Sequence, residues 1–216
     1  MALVDYNDLL TQIPRWLNKR NLDGMAGDFI MLTETDLEAK LRSRQMQTTV
    51  DAPVSCAAVN LPPDWLDASR VWMDGAIRAL DYCTIDALQE IRATARPGLG
   101  PTHFSWTDST LELAPAPADE LILHMTYYRR VPRLSVDAPT NWLTARDIGV
   151  YLYGALVCAS PYLMADDRVP TWTTQYAARV AALNISSQVA LHSGAPLTRR
   201  VRGYGKSIHR IQGARV

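Results

Sequence analysis

The sequence predicts an α+β protein, mainly a bundle of about four helices, with a β-rich insertion in its middle and an extended C-terminal arm. Three observations carry this. Apolar residues recur at helical spacing near both ends of the chain, a stretch between about 45 and 133 changes to alternation punctuated by turn dipeptides, and the last 21 residues hold cations without acids. The division expected is therefore a body over 1–195, with its insertion at about 45–133, and an arm over 196–216.

The first helix is expected over 5–18, where Leu9, Leu10, Ile13, Trp16 and Leu17 recur on one side, with a kink at Pro14. "NLDG" makes a turn. A second helix over 25–43 groups Met25, Phe29, Leu32, Leu37 and Leu41, while Asp36–Lys40 and Glu38–Arg42 form i,i+4 pairs on a solvated face. "QMQTTVDA" and "SCAAVNL" read as strands. "SRVWMDG" and "AIRALDYC" read as a hairpin about Asp74-Gly75. Thr84 opens a short helix that "PGLGP" ends. "THFSWTD" and "TLELAP" flank Asp108-Ser109 as another hairpin, and "ELILHMTYYRRV" is the longest strand. A nearly all-apolar helix over 144–163 is expected to start at Thr144, with Asp147 in its first turn. A last helix starts near Pro170 and runs to about His192, with Trp172, Tyr176, Val180 and Leu183 on one face.

Gly205-Lys206-Ser207 ends like a phosphate-binding loop, but its required first glycine falls on Arg200, so nucleotide binding is not expected. His103, His124, His192 and His209 share no ligand spacing with cysteine or carboxylate; no metal and no cofactor are expected, and His124 reads as a packing residue. Asp166-Asp167 is an adjacent acid pair; helix-dipole placement explains it more simply than catalysis. Cys56, Cys83 and Cys158 are odd in number and sit among apolar neighbours, as thiols in a reducing compartment do. Neither an export signal nor a membrane span is expected.

Formal net charge is zero but uneven. Arg199, Arg200, Arg202, Lys206, Arg210 and Arg215 lie in the arm; setting these six aside leaves 16 basic residues against 22 acids, about −6 over 1–195. A basic tail on an acidic body is either a solvated end or a segment meant for another surface. Val201, Tyr204, Ile208 and Ile211 supply apolar anchors between the cations. A helix apolar nearly all round over 144–163 must be buried, by its own domain or by neighbouring copies. Trp142, Tyr151, Tyr153, Leu156, Trp172 and Tyr176 are accordingly the candidates for packing between subunits.

"STLELAPAPADELILHMTYYRRVPRLS", "TNWLTARDIGVYLYGALVCASPYLMADDR" and "TWTTQYAARVAAL" resemble the head-to-tail adaptor (head-completion, connector) proteins of tailed bacteriophages. The opening "DYNDLLTQIPRWLNKR" and "MAGDFIMLTETDLEAKLRSRQM" are similar to their first helix pair, and the most specific piece is Thr140-Asn141-Trp142-Leu143 followed by Tyr151–Leu156. The resemblance implies a non-enzymatic virion protein at the head–tail junction, assembled in the host cytoplasm. Copies of such proteins form a ring, usually a dodecamer, beneath the portal protein. The ring extends the channel through which DNA passes without specific binding and offers a platform to the tail or a further neck protein. Members send a C-terminal arm to the portal; position and charge carry that role onto Arg199, Arg200, Val201, Arg202, Tyr204, Lys206, Ile208, Arg210 and Ile211. A nucleic-acid-binding module using the basic tail is the alternative reading.

Overall fold

The computed structural model describes residues 3–96, 98, 100–163 and 166–192. Helix α1 (Tyr6–Leu17) begins at Asp5, whose carboxylate accepts from Asp8 N at 2.9 Å, and ends at Asn18 in the left-handed conformation (φ 55°). Pro14 sits inside its C-terminal half. After a 3₁₀ turn (Arg20–Met25), α2 (Ala26–Lys40) buries Ala26, Phe29, Ile30, Thr33 and Leu37. Leu32, expected on that face, is half exposed, because Ile30 and Thr33 complete the buried stripe instead. Lys40 pairs with Asp36 at 2.7 Å as expected. Arg42 does not pair with Glu38: its guanidinium takes the Glu38 carbonyl and approaches Asp67 at 3.6 Å, while Glu38 faces Arg130 at 4.0 Å.

Seven strands follow, interrupted by one helix. β1 (Gln47–Val54), β7 (Leu121–Arg129) and β3 (Trp65–Met73) form an antiparallel sheet with β7 at its centre. β2 (Ala58–Asn60), β6 (Thr110–Ala114), β5 (His103–Thr107) and β4 (Asp81–Tyr82) form a second sheet in that order, antiparallel except for β4 against β5. Alternation along β7 turns Leu123, Met125 and Tyr127 inward, where they meet Leu111, Leu113 and Phe104 of the second sheet. The expected β5–β6 hairpin forms about Asp108, which takes φ 35°. The hairpin about Asp74-Gly75 does not form. β3 pairs with β7 along its length, and of the following segment only Asp81–Tyr82 is extended, parallel to β5. Gly75 (φ 70°) does turn the chain, but the residues after it serve the core through Leu80, whose N–H donates to Val71 O at 2.8 Å. Helix α3 (Ile85–Thr94) starts at Thr84 and lays Leu88 and Arg92 on β5 and β6; Arg92 binds Leu113 O and, at 2.9 Å, Glu112.

The expected helix over 144–163 is two helices, α4 (Trp142–Asp147) and α5 (Gly149–Cys158), followed by a 3₁₀ turn (Ser160–Tyr162). Its cap is Asn141 rather than Thr144, which takes the third helical position of the capping box. α6 (Val169–His192) closes the chain's described part. The fold is thus α+β with six α-helices and two sheets among the described residues, not mainly a four-helix bundle. The reason is energetic: the strands bury a sandwich core of their own, separate from the core of α1, α2, α4, α5 and α6.

Glu34 is the acid in the helical core. Its carboxylate is 6% exposed and accepts from Leu134 N at 2.8 Å, tying α2 to the segment after β7. Burial raises its pKa, an effect partly offset by the Leu134 bond and by Arg133. An acid raised in the folded state leaves the fold more stable below its ordinary value of 4.5 and less stable once pH rises through the raised one. Glu34→Gln keeps an acceptor for Leu134 and removes the ionisation. The variant is expected to melt above the parent at pH 7, with the gap closing below pH 4.5; a lower Tm at pH 7 contradicts the assignment.

Candidate functional site

Helix α5 is the middle of the helical layer, packed by α1, α2 and α6. Its closest approach is at Gly154, where an added Cβ would lie 2.2 Å from Thr33 Cγ2; glycine there lets α2 and α5 touch. Tyr151 and Leu156 are fully buried, and Trp172 and Tyr176 nearly so, all within this chain's own core. Tyr151 accepts from Asn141 Nδ2 at 2.8 Å, and Tyr176 donates to Asp36 at 2.7 Å. Burial is the main cause that pushes both phenols well above their ordinary range, so both stay neutral.

Trp142 and Tyr153 are only partly buried. Trp142 Nε1 finds no hydrogen-bond partner among the described residues. Tyr153 meets Trp16, itself 43% exposed, edge-on at 6.1 Å, and carries the Arg179 guanidinium at 5.2 Å from its ring centre. Arg179 is fixed by Asp147 at 2.6 Å, and nearby Arg168 lies over Trp172 at 4.9 Å. Aromatic rings braced by arginine at a surface are the composition of interface anchors.

α6 adds a second surface. Its inward stripe is Trp172, Tyr176, Val180, Leu183 and Ser187, yet Thr171, Thr174, Ala178, Ala182, Ile185 and Val189 form an outward one at the same helical spacing. Ile185 and Val189 are 59% and 63% exposed. Arg179 is the one charged side chain of the 24-residue helix and is spent on Asp147. Between α2 and α6, with α5 as floor, runs an apolar groove of about 470 Å³ lined by Thr33, Val157, Cys158, Ala177 and Ala181 among others. The sequence reading of α6 stopped at its inward face. Its near-total lack of charge was the signal that could have exposed the other.

Among the described residues no three histidine, cysteine or acidic side chains converge as a metal site. Asp166 is held by Arg168 through contacts of 2.6–3.2 Å, which lower its pKa to about 2, so it stays ionised and is no proton donor at neutral pH. His124 stands on the outer face of its sheet, hydrogen-bonded to Asp51 at 2.6 Å and stacked on Trp72. No described helix is long and apolar enough to cross a membrane. The arm candidates, Arg199 to Ile211, lie outside the described residues.

Residues 4–200 match the family model described as SU10 adaptor protein. The chain belongs to the SU10 adaptor protein family. The match covers all six helices and both sheets, and reaches Arg199 and Arg200. Comparison with curated proteins gives no match. As an SU10 adaptor the chain is a phage head–tail adaptor with a structural role at the virion neck, where it meets capsid, portal or tail components. This family's chemistry is assembly, in keeping with a surface whose distinctive features are uncharged helix faces and arginine-braced aromatics.

Proposed function

We propose that this SU10 adaptor is a non-enzymatic subunit of a ring beneath the portal, a dodecamer, which extends the DNA channel and receives the tail or a further neck protein. Its body is residues 1–195 with the β-rich insertion at about 45–133, and its arm, residues 196–216, docks on the portal. The observation that carries the reading is α6: a helix about 36 Å long with an uncharged outward stripe is costly to leave in water and suits burial against another subunit. A cyclic ring needs two different patches on each subunit. Trp142, Tyr153 and Trp16 on one hand, and the α6 stripe with its groove on the other, are two such patches. Tyr151, Leu156, Trp172 and Tyr176 hold the helices that present them.

The arm's six cations and its apolar Val201, Tyr204, Ile208 and Ile211 suit a segment that orders on docking. The acidic body, about −6, suits a channel wall that lets DNA slide, since basic contacts would hold phosphate. Deleting 196–216 is expected to leave a folded body that no longer joins the portal in a pull-down; normal attachment of the shortened chain refutes the arm assignment. The same basic tail favours the second reading, a nucleic-acid-binding module. That reading requires affinity for naked duplex that falls steeply with salt and vanishes with the tail.

A further inference from the structure

β7 is the central strand of its sheet, so an outward residue on it has a neighbour on either side. His124 stands opposite Asp51 of β1 and Trp72 of β3. Its imidazole lies on the Trp72 indole with ring centres 5.2 Å apart and 21° between planes, and the Arg70 guanidinium sits over the same indole at 5.0 Å. The two ring nitrogens meet different carboxylates. Nδ1 is 2.6 Å from Asp51 Oδ1, and Nε2 is 3.8 Å from Asp74 Oδ1. One acid belongs to an edge strand and the other to the turn that ends the opposite edge strand, β3.

Counting protons decides what this arrangement needs. A neutral imidazole carries one N–H and serves one carboxylate, while its other nitrogen presents a lone pair. Only the imidazolium has a donor on each side. The Asp51 contact has the length of a charge-assisted bond, and Asp74 stands at ion-pair distance. An imidazolium on an indole face is favourable as well. Arg70, the cation that β3 places on this face, is drawn over Trp72. Once the proton leaves, Nδ1–H can keep Asp51, but Nε2 then turns a lone pair toward the Asp74 carboxylate. The Asp51 hydrogen bond is the main cause that holds the His124 pKa above its ordinary 6.5; partial burial opposes it, and the charges of Asp51 and Asp74 add to it.

We propose that His124 is a proton-dependent clasp: charged, it ties the Asp74 turn to β1 across the central strand, and neutral, it releases that turn. The turn has little else to fix it. Asp74 N donates to Ile122 O at 2.9 Å and Ala76 N to Met73 O at 3.1 Å, with Gly75 left-handed between them. Ala76, Ile77 and Arg78 then stand in solvent, Ile77 at 98% exposure, before Leu80 returns to the core. The clasp therefore governs how firmly a fully exposed apolar side chain is presented. The sign follows from linkage. A histidine raised in the closed form stabilises it fully below 6.5, and that contribution is lost as pH rises through the raised value. The turn is held in mildly acidic solution and loosens toward alkaline pH.

The test is an NMR titration of the full chain from about pH 5 to about pH 9, the range in which histidine charge changes. Two signals are followed: the His124 ring protons, assigned by their loss in His124→Gln, and the exchange protection of the Asp74 and Ala76 amides after division by the intrinsic rate. The wild-type ring is expected to titrate above 6.5, with Asp51→Asn and Asp74→Asn each lowering the midpoint, Asp51→Asn by more. Both carboxylates are more than half exposed, so their amides leave the sandwich core untouched. Protection of the two backbone amides should fall over the same interval, about tenfold for each pH unit by which closing the clasp raises the midpoint. In His124→Gln that protection should be level with pH. A wild-type midpoint at or below 6.5 overturns the proposal. So does a midpoint that Asp74→Asn leaves in place, since the ring then serves Asp51 alone, or a protection that does not follow the histidine.

Discussion

Leu156→Asp is expected to abolish the folded body. Leu156 is fully buried in α5, the helix on which α1, α2 and α6 pack. Loss of its isobutyl group alone costs about 2–5 kcal/mol through lost transfer energy and a cavity. A carboxylate in that space adds the cost of burying an unpaired charge, or of holding it protonated against neutral pH. Among the described residues no lysine or arginine is buried, so no cation in that core compensates it. A domain has only about 5–15 kcal/mol to lose. Circular dichroism and size exclusion should show an unfolded or aggregated chain, while Leu156→Met, which conserves volume, should fold and melt cooperatively. A folded aspartate variant would remove Leu156 from the core.

Asn141→Ala is expected to cost about 2–4 kcal/mol, large for one polar side chain. Asn141 Oδ1 accepts from Leu143 N and Thr144 N at 3.0 and 2.9 Å, and losing such a cap costs about 0.5–2 kcal/mol. Its amide also donates to Pro132 O at 2.7 Å and to Tyr151 Oη at 2.8 Å. Alanine leaves the buried Tyr151 oxygen without that donor, which adds about 1–3 kcal/mol. Asn141→Asp keeps the cap but loses both amide donations, so it should fall between wild type and alanine in urea denaturation. An alanine variant as stable as wild type would show that α4 needs no cap.

This residue also shows what the sequence could and could not disclose. Asn141 and Tyr151 both stand in the stretch that carries the resemblance to phage adaptors, and the reason for their pairing is visible only when α4 and α5 are folded. Thr144 followed by an acid looked like a helix start; Asn141, three residues earlier, makes the better cap because its carbonyl reaches two backbone donors. The break at Ile148 has no proline or glycine pair before it to announce it, which is why one long helix was expected. Apolar spacing was enough for α1 and for the inward face of α6, and Asp108-Ser109 was enough for the β5–β6 hairpin. Asp74-Gly75 misled because a turn dipeptide says that the chain reverses, not which strand it then meets. β3 finds its partner in β7, some fifty residues on, and such long-range pairing leaves no local trace.

The candidate contacts were less legible still. Helical periodicity marks Tyr151, Leu156, Trp172 and Tyr176 as buried but is silent on whether the burial lies within a subunit or between subunits; these four serve the chain's own core. The outward stripe of α6 could be counted from the sequence once its inward stripe was set aside.

On the proposed function, the uncharged face of α6 and the basic arm are buried against other subunits. Mass measurement of the purified full chain, alone and after mixing with portal, tests it most directly. The expected result is a complex in which many copies of this chain join one portal ring, with their number fixed and their assembly lost when Ile185 and Val189 become aspartate. A chain that keeps its monomer mass in the presence of portal would contradict it.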